Sequence, residues 1–513
     1  MAKYPPSLRA PKFERSSEWS MQVIHSSPAL PQLLLCIIVS LTPWQGREPL
    51  NLLITDATIV TCDAERRSIE RGAIAIEGDR IAAIGETDAL LQAYPHSERM
   101  NGRGLAVLPG FINAHTHTVL TALRGTVEDW DGDIIYRYMS PISYTMTDHE
   151  REVMATLGCL EAIRSGTTTL VDPFRHVTSY AGAMADTGLR LWLSESCADI
   201  DTRKIRFGDY STDEAFGRTF IERAEELVGS WHGARNGRVS CQIAAHATDN
   251  CSPRMLATLL EMAQKHGLTR TCHLAQSPGE VAAVKAAYGL TPAQYLDREG
   301  WLGPALTSAH WTFCTPADVD LLAERKARLV HTPASFSRRG LHKALIGRIR
   351  DADVEISIGT DNMSEDMFHA LSIGSIVHRT GRGRGSEGGI SPAPQEMLDM
   401  VTRNGAASVG AAGEIGQLSP GMKADLTILD LNTPALRPII RLVSNIVHYG
   451  HPGTVHSVIV DGAFVMRDRV VTSIDEQALL AEAQDVTERV WKRMIEANPD
   501  IRPGQGEIAW LEP

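Results

Sequence analysis

The chain has 513 residues, 43% apolar and 22% charged, which is enough apolar material for one large barrel plus accessory elements, in the composition of an ordinary globular enzyme. A formal net charge of −12 excludes nucleic acid or an anionic membrane surface as the main partner. Eight cysteines with no CxxC pair and no regular spacing are expected as free thiols in a reducing, cytoplasmic setting.

In chain order, residues 1–49 do not match the texture of the rest. Their one apolar run, Leu33 to Leu41, is shorter than the roughly 20 residues a membrane span needs. It is followed by Pro43 and Trp44 rather than a small-residue cleavage site. The segment is read as an extension outside the folded protein, with export through the apolar run as the alternative. Regular structure is expected from Leu52. LLITDATIVT and GAIAIEGDRIAAIGE alternate apolar and polar residues around Gly and Asp turns, and so read as short strands. The same texture returns in ADLTILDL (424–431) and VHSVIVDGAFVMRDRVV (455–471). A small composite β-sandwich from both chain ends, residues 50–106 and 414–473, is therefore expected. Asp475 to Ala497 has helical periodicity, within a C-terminal helix and tail of 474–513.

Between these blocks, residues 107–413 alternate eight apolar runs with amphipathic stretches, the pattern of a (β/α)8 TIM barrel. Polar residues gather where the runs end: His115, His117, Asp172, His246, His273, His310, His331 and Asp361. Active sites of such barrels lie at the carboxyl ends of the strands. His115 and His117, two apart on a strand, point to one face and so reach one ion. With His273, His310 and Asp361 at matching strand ends, they make a candidate site for one divalent metal. Imidazoles and a carboxylate suit zinc, and also iron, manganese or nickel. A metal in such a site activates water for hydrolysis. Asp361 is then placed to take the water's proton, and His310 to complete the shell or polarise the group under attack.

The loop after strand one carries Trp130, Tyr136 and Tyr138, expected either to stack on a flat substrate or to pack the loop. Arg338 and Arg339 face either an acidic substrate group or solvent. Glu365 and Asp366 read as caps of the next helix, and Arg379, Arg382 and Arg384 as a solvated loop.

PGFINAHTH (109–117), SGTTT (165–169), HLAQS (273–277), SAH (308–310), GTDN (359–362) and GMKADLTILDL (421–431) together resemble the amidohydrolase superfamily. Within it the chain is similar to the cytosine-deaminase-like branch, which holds S-adenosylhomocysteine and guanine deaminases and triazine hydrolases of the atrazine chlorohydrolase type. The resemblance, over about residues 50–475, implies a barrel with a composite sandwich. It also implies a mononuclear site of His115, His117, His273 and Asp361 with His310 beside it, a homo-oligomer, and a small-molecule substrate contacted by His246.

Two departures bear on chemistry. Gln276 stands where the deaminases have a glutamate that protonates the ring, and an amide donates a hydrogen bond but not a proton. After strand seven the chain reads Pro333-Ala334-Ser335-Phe336 rather than Pro-x-Ser-Asn. The expectation is a hydrolase that expels ammonia or an amine from a small heterocycle, with Asp361, His310 and Gln276 in catalysis and His246, Gln276, Trp130 and His310 on the substrate. The alternatives are an amidase, cyclic amidase or chlorohydrolase on the same metal, a metal-dependent hydratase or decarboxylase, and a metal-free structural protein of this fold.

Overall fold

In the computed structural model, residues 51–129, 133–340, 344–380 and 390–501 are described. The extension 1–49, Trp130, Arg382 and Arg384 lie outside them.

Structure begins with β1 (Leu52–Val60), β2 (Ser68–Glu77), β3 (Arg80–Glu86), β4 (Glu98–Asn101) and β5 (Leu105–Pro109). The first three form an antiparallel meander, and β1 also pairs in parallel with β4 and β5. The chain then passes through Gly110 into the barrel. A Cβ at Gly110 would lie 2.0 Å from the Thr168 hydroxyl oxygen, so only glycine fits this crossing.

The barrel strands are β6 (Phe111–Asn113), β7 (Thr167–Phe174), β8 (Arg190–Cys197), β9 (Val239–Cys241) with β10 (Ile243–Ala247), β11 (Arg270–Leu274), β12 (Leu306–His310), β13 (Arg328–His331) and β14 (Ile356–Ile358). All pairings between them are parallel. β9 and β10 are one barrel position interrupted at Gln242, whose N–H still donates to Leu193 of β8. The ring closes where Thr116 pairs with Asp361, with N–H bonds from Asp361 to His115 and from His117 back to Asp361. The fold is thus a (β/α)8 barrel with an added sheet.

Local sequence explains the crossovers. In the helix Pro253–His266, Ser252 accepts from the Met255 N–H, Pro253 opens the first turn and Gly267 closes it at φ 66°. Met255, Leu256, Leu259, Met262 and Ala263 form the buried stripe against the strands.

After the barrel, β15 (Leu426–Asp430), β16 (Val455–Val460), β17 (Ala463–Arg467) and β18 (Val470–Val471) join the first block through antiparallel pairing of β15 with β5. The result is one nine-stranded mixed sheet built from both ends of the chain. The helix Glu476–Ala497, capped by Asp475, follows. The seven described cysteines are buried free thiols.

Candidate metal centre and substrate pocket

The strand ends bring five donors together. Ligand atoms of His115, His117 and His273 lie within 4.8 Å of one another, and so do those of His115, His310 and Asp361. His117 Nε2 is 3.1 Å from His273 Nε2. Asp361 Oδ1 is 3.9 Å from His115 Nε2 and 3.8 Å from His117 Nε2. Both His310 and Asp361 have positive φ, 83° and 72°. Such backbone is costly for residues with a Cβ and persists where the surroundings enforce a particular side-chain direction.

Hydrogen bonds fix the rings. His273 Nδ1 donates to the His246 carbonyl oxygen at 2.5 Å, which leaves the Nε2 lone pair directed at the cluster. His310 Nδ1 is 3.0 Å from the Thr332 hydroxyl. Burial lowers the pKa of all four imidazoles, that of His273 to about 4. Burial also pushes Asp361 up to about 6. Deep in this cluster His115 Nε2 has no hydrogen-bond partner. An orphaned buried nitrogen among neutral imidazoles and one carboxylate fits a divalent cation, which would satisfy the nitrogen and favour the ionised Asp361.

Carboxylates behind the centre hold its scaffold. Glu365, expected as a helix cap, instead lies buried and accepts from Thr116 Oγ1 at 2.6 Å, Asn113 Nδ2 at 2.9 Å and Thr360 Oγ1 at 3.1 Å. It ties β6 to the segment after β14, while Asp366 takes the capping bond from the His369 N–H. Asp172, at the end of β7, accepts from the Thr118 hydroxyl and N–H and is pushed up to about 7 by burial. His331 turns away to His378, 2.9 Å distant.

A cavity of about 330 Å³ opens on the cluster. His117, His273, His310 and Asp361 line its floor, and His246 and Gln276 its wall. Gln276 donates its N–H to Glu280, but its Nε2 has no partner. Phe174, Phe313 and Phe336 supply flat apolar surface. The loop tyrosines do not. Tyr136 Oη donates to Asp249, and Tyr138 packs near Trp491 with ring centroids 6.5 Å apart, so both pack the loop. Of the arginine pair, Arg339 lines the cavity and Arg338 is exposed. Sequence reading missed Asp133 and Arg175, which also line the cavity. Arg175 directly follows the fully buried β7, and a charged residue in that position was the available signal.

Comparisons agree with this architecture. The model of the amidohydrolase family matches residues 106–465, and that of an imidazolonepropionase-like composite domain of bacteria matches residues 72–96. A 5-methylthioadenosine/S-adenosylhomocysteine deaminase of Desulforamulus reducens is 31% identical over 449 residues, covering 86% of this chain and 99% of that protein. A 5'-deoxyadenosine deaminase of Methanosarcina mazei is 29% identical over 86% of this chain and 99% of its own length. Among solved structures, an adenosine deaminase from Xanthomonas campestris with bound zinc superposes with TM-score 0.78 at 24% identity, over 87% of this chain and all of that one. A mutant atrazine chlorohydrolase from Arthrobacter aurescens, complexed with zinc and atraton, gives 0.76 at 21%, covering 85% and 100%. These two likenesses concern the fold. Taken with the family match over most of the barrel, the strand-end cluster makes the chain a hydrolase, and it belongs to the amidohydrolase family.

Proposed function

We propose that the hydrolase is a mononuclear aminohydrolase, in which His115, His117, His273 and Asp361 hold one divalent ion, zinc first among the candidates. The substrate is a small amino-heterocycle, and water replaces its amino group to leave an oxo group and ammonia. The convergence of five donors around the orphaned His115 Nε2 carries the reading. The names of the deaminase relatives support it. The buried free thiols support a cytoplasmic enzyme.

The ion, when bound, supplies a nucleophile at neutral pH by lowering the pKa of a water molecule. Asp361 takes the proton released by that water and returns it to the departing amine. His310, anchored by Thr332, orients the group under attack from the floor of the cavity. Gln276 directs its unpartnered Nε2 to an acceptor on the ring. Phe174, Phe313 and Phe336 exclude water around the ring.

Gln276 also favours a second reading. Cleavage of an amide, a lactam or a ring halide needs no protonated ring nitrogen, and Asp361 alone carries the proton. The deciding experiment is metal analysis followed by ammonia release over aminopurines, pterins, cytosines and amino-triazines. One ion per chain and ammonia from a panel member are expected, and His273→Ala should lose both. A chain with no retained or restorable metal is not this enzyme. Stoichiometric metal without ammonia moves the assignment to amides and halides.

A further inference from the structure

Arg175 is 1% exposed, lines the cavity and has no ion-pair partner among the described residues. Its guanidinium carbon lies 5.7 Å from the ring centroids of Phe174 and Tyr144, and its Nε makes no hydrogen bond. Its one polar contact is with a histidine: Nη2 sits 3.0 Å from His246 Nε2. A guanidinium only donates, so that contact needs a bare Nε2 and places the ring proton on Nδ1. There it meets another donor, for Asn250 Nδ2 is 2.6 Å away. Turning the Asn250 amide over does not help, because its Oδ1 accepts the Ala247 N–H and its Nδ2 donates to Tyr136 Oη, which itself donates to Asp249. The chain Asp249–Tyr136–Asn250 therefore directs a lone pair at neither ring nitrogen of His246. Whichever nitrogen holds the proton, one N–H faces a donor. Protonating the ring makes the mismatch worse.

The arrangement is short of one acceptor, and the open side is the cavity, which both residues line. Gln276 Nε2, buried and unpartnered, faces the same space. The gap is next to the reacting end. The His246 ring centroid is 5.1 Å from that of His273, and the Phe174 ring lies tilted with its centroid 4.8 Å from that of His117.

We infer that Arg175 and His246 form an oxyanion subsite for a ring oxygen of the substrate, so that the substrate is an oxo-bearing amino-heterocycle rather than a plain aminopurine. This deepens the aminohydrolase proposal and rests on it for the substrate class. The substrate oxygen accepts from Arg175 and from His246 Nε2–H, Nδ1 then accepts from Asn250, and every donor in the chain is satisfied. The acceptor is anionic in character because Arg175 is a buried guanidinium that makes no ion pair or hydrogen bond with a carboxylate and acts on Glu195 only at longer range.

Two measurements on the metal-loaded protein test this. The first is calorimetric binding of barbiturate, an oxo-ring anion with no amine to lose, to wild type, Arg175→Met and Arg175→Lys. Binding that weakens by about 10- to 100-fold in Arg175→Met, and less in Arg175→Lys, is expected for a lost charged hydrogen bond. The second is ammonia release from matched pairs with and without the ring oxygen: guanine against 2-aminopurine, and isoguanine against adenine. Wild type should prefer the oxo member by a similar factor, and Arg175→Met should bring the ratio near unity. Barbiturate binding through Arg175 with no ammonia from any compound would uphold the subsite and sink the aminohydrolase reading. Equal turnover of both members without barbiturate binding would sink the subsite and leave that reading standing. Absence of both would remove both.

Discussion

Gln276 and Glu195 show what single buried groups do here. Gln276 stands in the wall of the cavity with a free amide N–H, able to donate a hydrogen bond but no proton. Gln276→Glu restores an acid at the same reach. It should raise kcat on amino-heterocycles, with general acid catalysis contributing about 100-fold or more, while metal content stays at the wild-type level. An unchanged kcat and substrate range would place the residue outside the chemistry. Glu195 reports on folding. Its carboxyl accepts from the His176 and Val177 N–H groups, but burial outweighs them and raises its pKa from 4.5 to about 7. Over that interval the folded chain keeps a proton that the unfolded chain has released. Its contribution is therefore complete below the unfolded value and is lost as pH rises through the folded one. The gap corresponds to about 3 kcal/mol. Glu195→Gln does not titrate, so the stability of wild type relative to the variant should fall by about that amount between pH 4.5 and 7.5 in urea unfolding. A constant difference would show that Glu195 ionises as freely in the folded state as in the unfolded one.

The closure of β14 on β6 is the element on which the site depends. Gly359 sits at this seam, where a Cβ would lie 2.6 Å from the His115 carbonyl oxygen and 2.9 Å from its Cβ. Gly359→Ala therefore displaces a proposed ligand without removing one. Retained barrel circular dichroism with metal affinity reduced about 10- to 100-fold is expected, as when a ligand's support is lost. Wild-type affinity would mean that the seam yields without moving His115. The same seam marks the boundary of what sequence reveals. His115, His117, His273, His310 and Asp361 were legible because polar residues ending apolar runs are anomalous along the chain itself. Glu365 was not, since its partner Asn113 is 252 residues away and nothing local distinguishes a buried strut from a cap. Tyr136 and Tyr138 read equally as stacking surface or as packing. Asp249 and Trp491 decide for packing, and neither is near them in sequence.

Across the whole molecule, the last described helix supports the end of the first barrel strand. The periodicity of Glu476–Ala497 was plain, but its docking partner was not, because an amphipathic stripe shows that a face is buried without showing against what. It lies on the helix Asp148–Arg164, with Arg164 paired to Glu476, Arg493 to Glu150 and His149 to Glu482. Trp491, fully buried, reaches past that helix and donates Nε1–H to the Ala122 carbonyl oxygen at 2.8 Å. Ala122 belongs to the turn Thr118–Leu123 that immediately follows His117, and Leu120 of that turn lines the cavity. Of these pairs His149–Glu482 is exposed and contributes little, whereas Glu150 is buried in its pair with Arg493. Trp491 contributes most, so Trp491→Ala should cost about 3–5 kcal/mol by emptying a large core site. It should also leave the Ala122 carbonyl without its donor and loosen the turn that carries Leu120. A raised KM, together with a lowered unfolding temperature and unchanged metal content, is the expected combination. A loss of stability with KM unchanged would confine this helix to holding the barrel together, whereas the combined effect would make the packing of the chain's end part of how the pocket keeps its shape.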